Sequence, residues 1–184
     1  MSPAGEHRRS LLTDPARLEA VGRHRILDSA PGHALDLIAE IAATVCGTPM
    51  AAVSIVDADR VWFVAGRGLG EIRQASADPG LCASALGAEG VYLVTDAATD
   101  PRARDHPLVR GEPGVRFYAG APIIAAGGHR LGVVAALDTG PRQLTETQTT
   151  VLTQLAALVV DHLRTRLIPR QPAAGRPARC TGVE

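Results

Sequence analysis

The chain has 184 residues, with 19 basic and 19 acidic side chains and therefore no net charge. A neutral chain lacks the electrostatic footprint of a protein that binds nucleic acid or an anionic membrane. The length fits one domain with a sizeable core, and because aromatic residues make up only 3% of the chain, that core consists mainly of Ala, Val, Leu and Ile.

The first half of the chain predicts two helices and a hairpin after a flexible segment over residues 1–13. Asp14 before Pro15 is an N-cap pattern that predicts a helix over about residues 14–27. A second helix ends before Gly47, and a hairpin follows from Met50–Val56 to a strand through Trp62 and Phe63. The apolar stripe of the second helix consists of Leu35, Ile38, Ile41, Ala42 and Val45.

The second half predicts a short helix at Leu81–Leu86, a strand over residues 91–94 and a long loop over residues 96–109 with at most single helical turns. Two apolar strands then flank a Gly127-Gly128 turn. Thr145 with Gln148 three residues later forms a capping-box pattern, which predicts a final helix up to about Leu167. Residues 168–184 are rich in proline and arginine and are expected to be disordered. The domain therefore spans residues 14–167.

No targeting or metal-binding pattern is apparent. The polar N-terminus precedes no apolar signal region, and no stretch approaches the roughly 20 apolar residues of a membrane span, so we expect a cytoplasmic protein. Cys46, Cys82 and Cys180 are far apart and lack a CxxC spacing, which predicts free thiols. The histidines form no ligand pair, so no metal site is expected.

Several motifs in order resemble the GAF domain family of small-molecule-binding and chromophore-binding sensor modules. The similarity runs from about Leu18 to about Leu167. It implies an α+β fold with a central antiparallel sheet, terminal helices on one face, and a helix and loop covering a pocket on the other. The motifs are Asp59-Arg60-Val61-Trp62-Phe63, Leu81-Cys82-Ala83-Ser84-Ala85-Leu86, residues 96–107, Arg116-Phe117-Tyr118-Ala119-Gly120-Ala121-Pro122 and Pro141-Arg142-Gln143-Leu144-Thr145.

The resemblance also implies which residues line a ligand cavity. Arg116 and Tyr118 are two residues apart in a strand, so we expect both on the pocket face. Structural interpretations stay open: Trp62 and Tyr118 as packing residues, the loop arginines as ion-pair partners, and Cys82 as a small buried residue. The implied lining is Trp62, Cys82, Ser84, Leu86, Asp96, Arg102, Arg116, Tyr118 and Asp138.

Several subtypes of the family do not match. Relatives often have Phe-Cys-Ala-His where this chain has Leu81-Cys82-Ala83-Ser84, so a neighbouring base and a haem or metal ligand are missing. The Asn-Lys-Phe-Asp-Glu signature of cyclic-nucleotide-binding relatives is absent. Cys82 lacks the neighbouring histidine of bilin-binding relatives, and the chain lacks the several pocket cysteines of the methionine sulfoxide reductases. With no nucleophile elbow or Walker loop, we expect no enzymatic activity, and the cofactor is unknown.

The expected function is a stand-alone regulatory sensor that binds an unidentified small molecule. No kinase, cyclase or DNA-binding module shares the chain, so its terminal helices would signal to a separate protein or a second copy. Val151, Leu155 and Leu158 at near-heptad spacing, beside Leu152 and Val159, predict a homodimer. Two alternatives stay open: a thiol redox enzyme or oxidant sensor using Cys82, and a ligand-free protein-interaction module.

Overall fold

A computed structural model describes residues 3–28, 32–78 and 80–167. Its strands are β1 (Met50–Val56), β2 (Arg60–Arg67), β3 (Gln74–Ser76), β4 (Tyr92–Val94), β5 (Phe117–Ile124) and β6 (Arg130–Asp138). They form one six-stranded sheet in the order β3-β2-β1-β6-β5-β4, and every neighbouring pair is antiparallel. The predicted α+β class is confirmed.

The helices are α1 (Pro3–Thr13), α2 (Pro15–Arg23), α3 (His33–Cys46), α4 (Leu81–Leu86), α5 (Pro107–Arg110) and α6 (Glu146–Leu167). Apolar residues of α2, α3 and α6 pack on one face of the sheet, and those of α1, α4 and α5 contribute to the core on the other. Within the described residues, no helix is both long enough and apolar enough to cross a membrane.

Side chains that point alternately to the two faces of the central strands form these two cores. In β6, Val134 and Ala136 face α3 and α6, whereas Val133, Ala135 and Leu137 face the side of α4. Both sets are buried, which explains the uninterrupted apolar run of this strand. The sheet is therefore covered on both faces around its centre.

Local sequence signals are confirmed where a side chain satisfies a backbone group. The Asp14 carboxylate accepts the Ala16 N–H at 3.1 Å and begins α2. Gln148 Oε1 accepts the Thr145 N–H at 2.9 Å, while Thr145 Oγ1 accepts the Gln148 N–H at 3.3 Å, as a capping box requires. Gly47 ends α3 in the left-handed conformation with φ of 65°.

Three predicted features differ. Residues 3–13, predicted to be flexible, form α1, whose Leu12 is buried in the core beside α4. Helix α2 ends at Arg23 rather than near residue 27, because His24 caps it and Arg25 takes a positive φ of 48°. Ile41 is 44% exposed, since α3 packs on the sheet through a narrower stripe than predicted. The predicted disordered segment, residues 168–184, lies outside the described residues.

Arg17 holds α1, α2 and the sheet together. Its side chain is 1% exposed, and its guanidinium donates only to backbone carbonyl oxygens among the described residues. The shortest bonds run from Nε to Leu11 O at 2.7 Å and from Nη1 to Val56 O at 2.6 Å. Arg17 therefore satisfies carbonyls at the C-terminal end of α1 and at the end of β1.

Candidate functional site

A cavity of about 160 Å³ lies between the sheet and the segments that cover its α4 side. Strands β1, β2, β5 and β6 contribute to its floor, and α4 with the segments around β3 and α5 contributes to its cover. Its wall is almost entirely apolar. The lining residues are Met50, Ala52, Val61, Phe63, Leu69, Ile72, Ala75, Ser76, Gly80, Leu81, Cys82, His106, Pro107, Leu108, Pro113, Val115, Tyr118, Ala135 and Leu137.

Small residues on two neighbouring strands make room for the cavity. Ala52 of β1 and Ala135 of β6 are direct cross-strand partners, and both line it. The next pair on the same face, Met50 and Leu137, has larger side chains that also line the cavity. Two alanine methyl groups side by side therefore leave space above the middle of the sheet.

Gly120 sets how closely α4 approaches the sheet. A Cβ atom at this position would lie 2.9 Å from Ala85 Cβ and 2.8 Å from Val133 Cγ1. Only glycine therefore permits the observed distance between α4 and β5 without displacement of a neighbour. This close approach places Cys82, on the first turn of α4, against the cavity.

Tyr118 and Cys82 bring the main side-chain polar atoms to the cavity wall. The Tyr118 hydroxyl donates to Cys82 Sγ at 3.4 Å, and Ser54 Oγ lies 3.9 Å from the same sulfur while donating to Val133 O at 3.0 Å. Burial raises the pKa of the Cys82 thiol, although hydrogen bonds from Tyr118 and Ser54 oppose this. Burial also raises the pKa of Tyr118 well above its usual value. Both groups are therefore uncharged at neutral pH.

The exposed residues of the cavity wall lie on β3 with the β2–β3 connection before it, and on the segment around α5. In the first of these, Ile72 is 44% exposed. In the second, His106 is the N-cap of α5, where its Nδ1 accepts the Leu108 N–H at 3.1 Å. His106 therefore both caps α5 and lines the cavity.

Of the residues that the family resemblance implied, only Cys82 and Tyr118 line this cavity. Leu86 is buried in the surrounding core on the same face without lining it. Trp62 packs against the core on the opposite face, because it alternates with Phe63, which does line the cavity. Ser84 faces α1, where its Oγ accepts from Arg8 Nη1 at 3.3 Å.

The implied charged residues lie outside the cavity in ion pairs. The Arg116 guanidinium, immediately before β5, binds the Asp96 carboxylate and holds its pKa below the usual range. Arg102 binds Asp100 at 2.6 Å and lies 5.1 Å from the centre of the Tyr92 ring. Both arginines are thus occupied at the surface, as the ion-pair interpretation predicts.

Asp138 also has a structural partner outside the cavity. Burial alone would raise its pKa, but the Gly140 N–H and the Arg142 guanidinium outweigh this effect and lower it. Both Asp138 and Arg142 border a separate open depression beside the end of α3. No group of three metal-binding side chains occurs within the described part of the chain.

Sequence reasoning missed most of the apolar wall. The alternation of Val133, Ala135 and Leu137 in β6 was a usable signal, since residues two apart share a face. Leu69, Ile72, Pro113 and Val115 carried no such signal, because they lie outside the strands and reach the cavity only through tertiary folding.

Comparison with known proteins agrees with this architecture. The family model described as "GAF domain" matches residues 31–163. A cyclic di-GMP phosphodiesterase of Pseudomonas aeruginosa is 38% identical over 164 residues, which are 89% of this chain but 26% of that protein. The chain thus spans about a quarter of the length of this curated relative.

Solved structures show the same fold at low sequence identity. The GAF domain of an Acinetobacter phosphoenolpyruvate-protein phosphotransferase is similar with a TM-score of 0.62 and 18% identity, covering 82% of this chain and 92% of that one. The corresponding domain from Coxiella burnetii has a TM-score of 0.60 and 19% identity, covering 90% and 98%. With a family match over most of its length and the same sheet and helices, this chain belongs to the GAF domain family.

Proposed function

We propose that this chain is a regulatory sensor whose ligand occupies the cavity between the sheet and α4. The observation that carries this proposal is the apolar cavity itself, formed where Ala52 and Ala135 lie side by side beneath α4. A core that served stability alone would fill this space, because unfilled volume is destabilising. Membership of a small-molecule-binding sensor family supports the same conclusion.

Contact between α1 and α4 supports an output through the N-terminal helix. Arg8 of α1 binds Asp78 at 3.1 Å, immediately upstream of α4, and donates to Ser84 within it. Cys82 lines the cavity only two residues before Ser84. A ligand that displaces α4 would therefore change the surface on which α1 rests, and a separate signalling protein or a second copy would receive that change.

Cys82 has no catalytic role in this proposal. A nucleophilic or redox-active cysteine requires a lowered thiol pKa, and burial raises that of Cys82. The relative named as a phosphodiesterase is about four times as long as the matched segment, and we infer that such segments regulate signalling enzymes rather than perform their chemistry.

The test is to fill the cavity without changing the surface. Ala135→Leu adds volume into the void and should retain the fold, yet abolish stabilisation by any compound found in a thermal-shift screen of metabolites. Arg104→Gln, at an exposed surface position, is the control and should bind normally. Undiminished binding to Ala135→Leu would show that the ligand site lies elsewhere.

Native mass spectrometry of the purified protein separates the alternatives. A co-purified small molecule supports the sensor. Oxidised Cys82 without a ligand supports a redox role, and an unmodified, empty protein that binds nothing in the screen supports a pure interaction module.

A further inference from the structure

The cavity also constrains the chemistry of the ligand. An enclosed apolar cavity of about 150 Å³ is large enough to bind benzene, whereas pockets for drug-sized ligands have roughly 300–1,000 Å³. The cavity described above has about 160 Å³. Its size therefore suits a single six-membered ring with at most a small substituent, and a whole nucleotide would have to extend beyond it.

The wall carries no side chain that is ordinarily charged at neutral pH. None of its residues is Asp, Glu, Lys or Arg, and the Nδ1 of His106 accepts the Leu108 N–H. The nearby charged side chains are held elsewhere, as in the Arg116–Asp96 and Arg102–Asp100 pairs. Because an ionised group that is buried without an oppositely charged partner is strongly disfavoured, a carboxylate or an ammonium group would bind far more weakly than a neutral group of the same size.

The shape and composition of the wall favour an aromatic ring. The floor beneath the void is the centre of the sheet, where the Ala52 and Ala135 methyl groups lie side by side. Two rings, Phe63 and Tyr118, border the same space. Aromatic pairs in offset or edge-to-face contact contribute more than their buried area alone.

One hydrogen-bond donor at the wall has only a weak partner. Tyr118 is 1% exposed, and among the described residues its hydroxyl donates to Cys82 Sγ at 3.4 Å. Sulfur is a weak acceptor, so a ligand oxygen would serve this donor better. Tyr92 makes an edge contact with the Tyr118 ring at 6.3 Å between centroids and helps to fix its orientation.

We infer, on the basis of the proposed function, that the cavity binds a neutral, monocyclic aromatic molecule and prefers one that carries a hydroxyl group. The size, the uncharged wall, the two flanking rings and the Tyr118 hydroxyl each point to this class. Phenol and toluene are the simplest probes, and benzoate and benzylamine are their charged counterparts of similar size.

The experiment measures binding of these four probes by titration calorimetry or ligand-observed NMR. Phenol should bind more tightly than toluene, and benzoate and benzylamine should bind at least about a hundredfold more weakly than phenol. Tyr118→Phe should reduce the affinity for phenol about five- to tenfold while leaving that for toluene unchanged. Ala135→Leu should abolish both, and Arg104→Gln should change neither.

Xenon binding, followed by NMR, separates failure of this inference from failure of the proposed function. If xenon does not enter wild-type protein, or enters Ala135→Leu equally, the cavity is not accessible and both proposals fail. If xenon enters only the wild type but charged probes bind as well as neutral ones, or no ring compound binds, the ligand class is wrong and the cavity site stands.

Discussion

The Arg116 guanidinium binds the Asp96 carboxylate through two hydrogen bonds of 2.6 Å, from Nε to Oδ1 and from Nη2 to Oδ2. This bidentate pair joins the residue before β5 to the start of the loop after β4. The backbone supports the same connection, since Ala97 N donates to Arg116 O at 2.6 Å. The pair therefore anchors the loop after β4 and keeps the Arg116 guanidinium occupied outside the cavity.

This pair makes stability depend on pH in a defined direction. Because Arg116 lowers the pKa of Asp96 in the folded chain, the pair stabilises the fold above the unfolded pKa of about 3.9 and loses its effect as the pH falls through the folded pKa. Asp96→Asn should therefore lower the urea midpoint at pH 7, and the difference from wild type should disappear in acid. Asp161→Asn, at an exposed position, is the control. A difference that does not shrink as the pH falls would contradict the assignment.

Replacement of Arg17 should be among the most destabilising single changes in the N-terminal region. Arg17→Met would leave the buried carbonyl oxygens of Leu12 and Val56 without their donor, at an expected cost of about 3 to 5 kcal/mol. Urea denaturation measures this cost, and Arg23→Met on the exposed side of the same helix should change little. An equal loss of stability in the two variants would contradict this role of Arg17.

The Cys82 thiol should react slowly with soluble reagents. Partial burial and a raised pKa both reduce the population of accessible thiolate, so its reaction with a soluble disulfide reagent at pH 7 should be at least about tenfold slower than that of a cysteine peptide. Cys82→Ala should fold, with a loss of roughly 1 kcal/mol. Mass spectrometry after timed labelling identifies the site, and rapid modification of Cys82 would favour the oxidant-sensor alternative.

Gly120→Ala should disturb the cavity through α4. The added methyl group would meet Ala85 and Val133 below 3.0 Å, so α4 must shift, at a cost of about 1 to 3 kcal/mol, and phenol binding should weaken. Gly90→Ala is a matched control, since nothing lies within 4 Å of its Cβ position. Thermal unfolding and phenol titration compare the two variants. If Gly120→Ala binds phenol as tightly as wild type, the position of α4 does not control the site.

We expect the predicted homodimer to use exposed apolar residues of α3 and α6. Leu158 is 53% exposed and Leu37 is 47% exposed, whereas Leu155 is buried at 4% and belongs to the core of its own subunit. We expect a dimer at micromolar concentration that Leu158→Glu converts to a folded monomer, as measured by light scattering and circular dichroism. Thr153→Glu on the same helix is the control. A wild-type monomer would refute the prediction.

Local signals in the sequence were sufficient for most of the fold. Four of these signals act within a few residues of each other, so the residues that form the pattern also make the interaction that causes the structure. They are the Asp14 cap, the Gly47 stop, the Gly127-Gly128 turn and the Thr145–Gln148 capping box. The same reasoning missed α1, because its polar sequence is held in place by tertiary contacts, such as those of Leu12 and Arg8 with segments far along the chain.

The site was decided by tertiary structure. The sequence alone determined that Trp62 and Phe63 face opposite sides of a strand, because neighbouring side chains alternate, but not which of them faces the cavity. It also placed Arg116 two residues from Tyr118 without revealing that Asp96 would bind the arginine. Whether a side chain meets a ligand or an ion-pair partner depends on which distant segments fold against it, and the Ala52–Ala135 pairing that opens the cavity joins residues from two strands far apart in the chain.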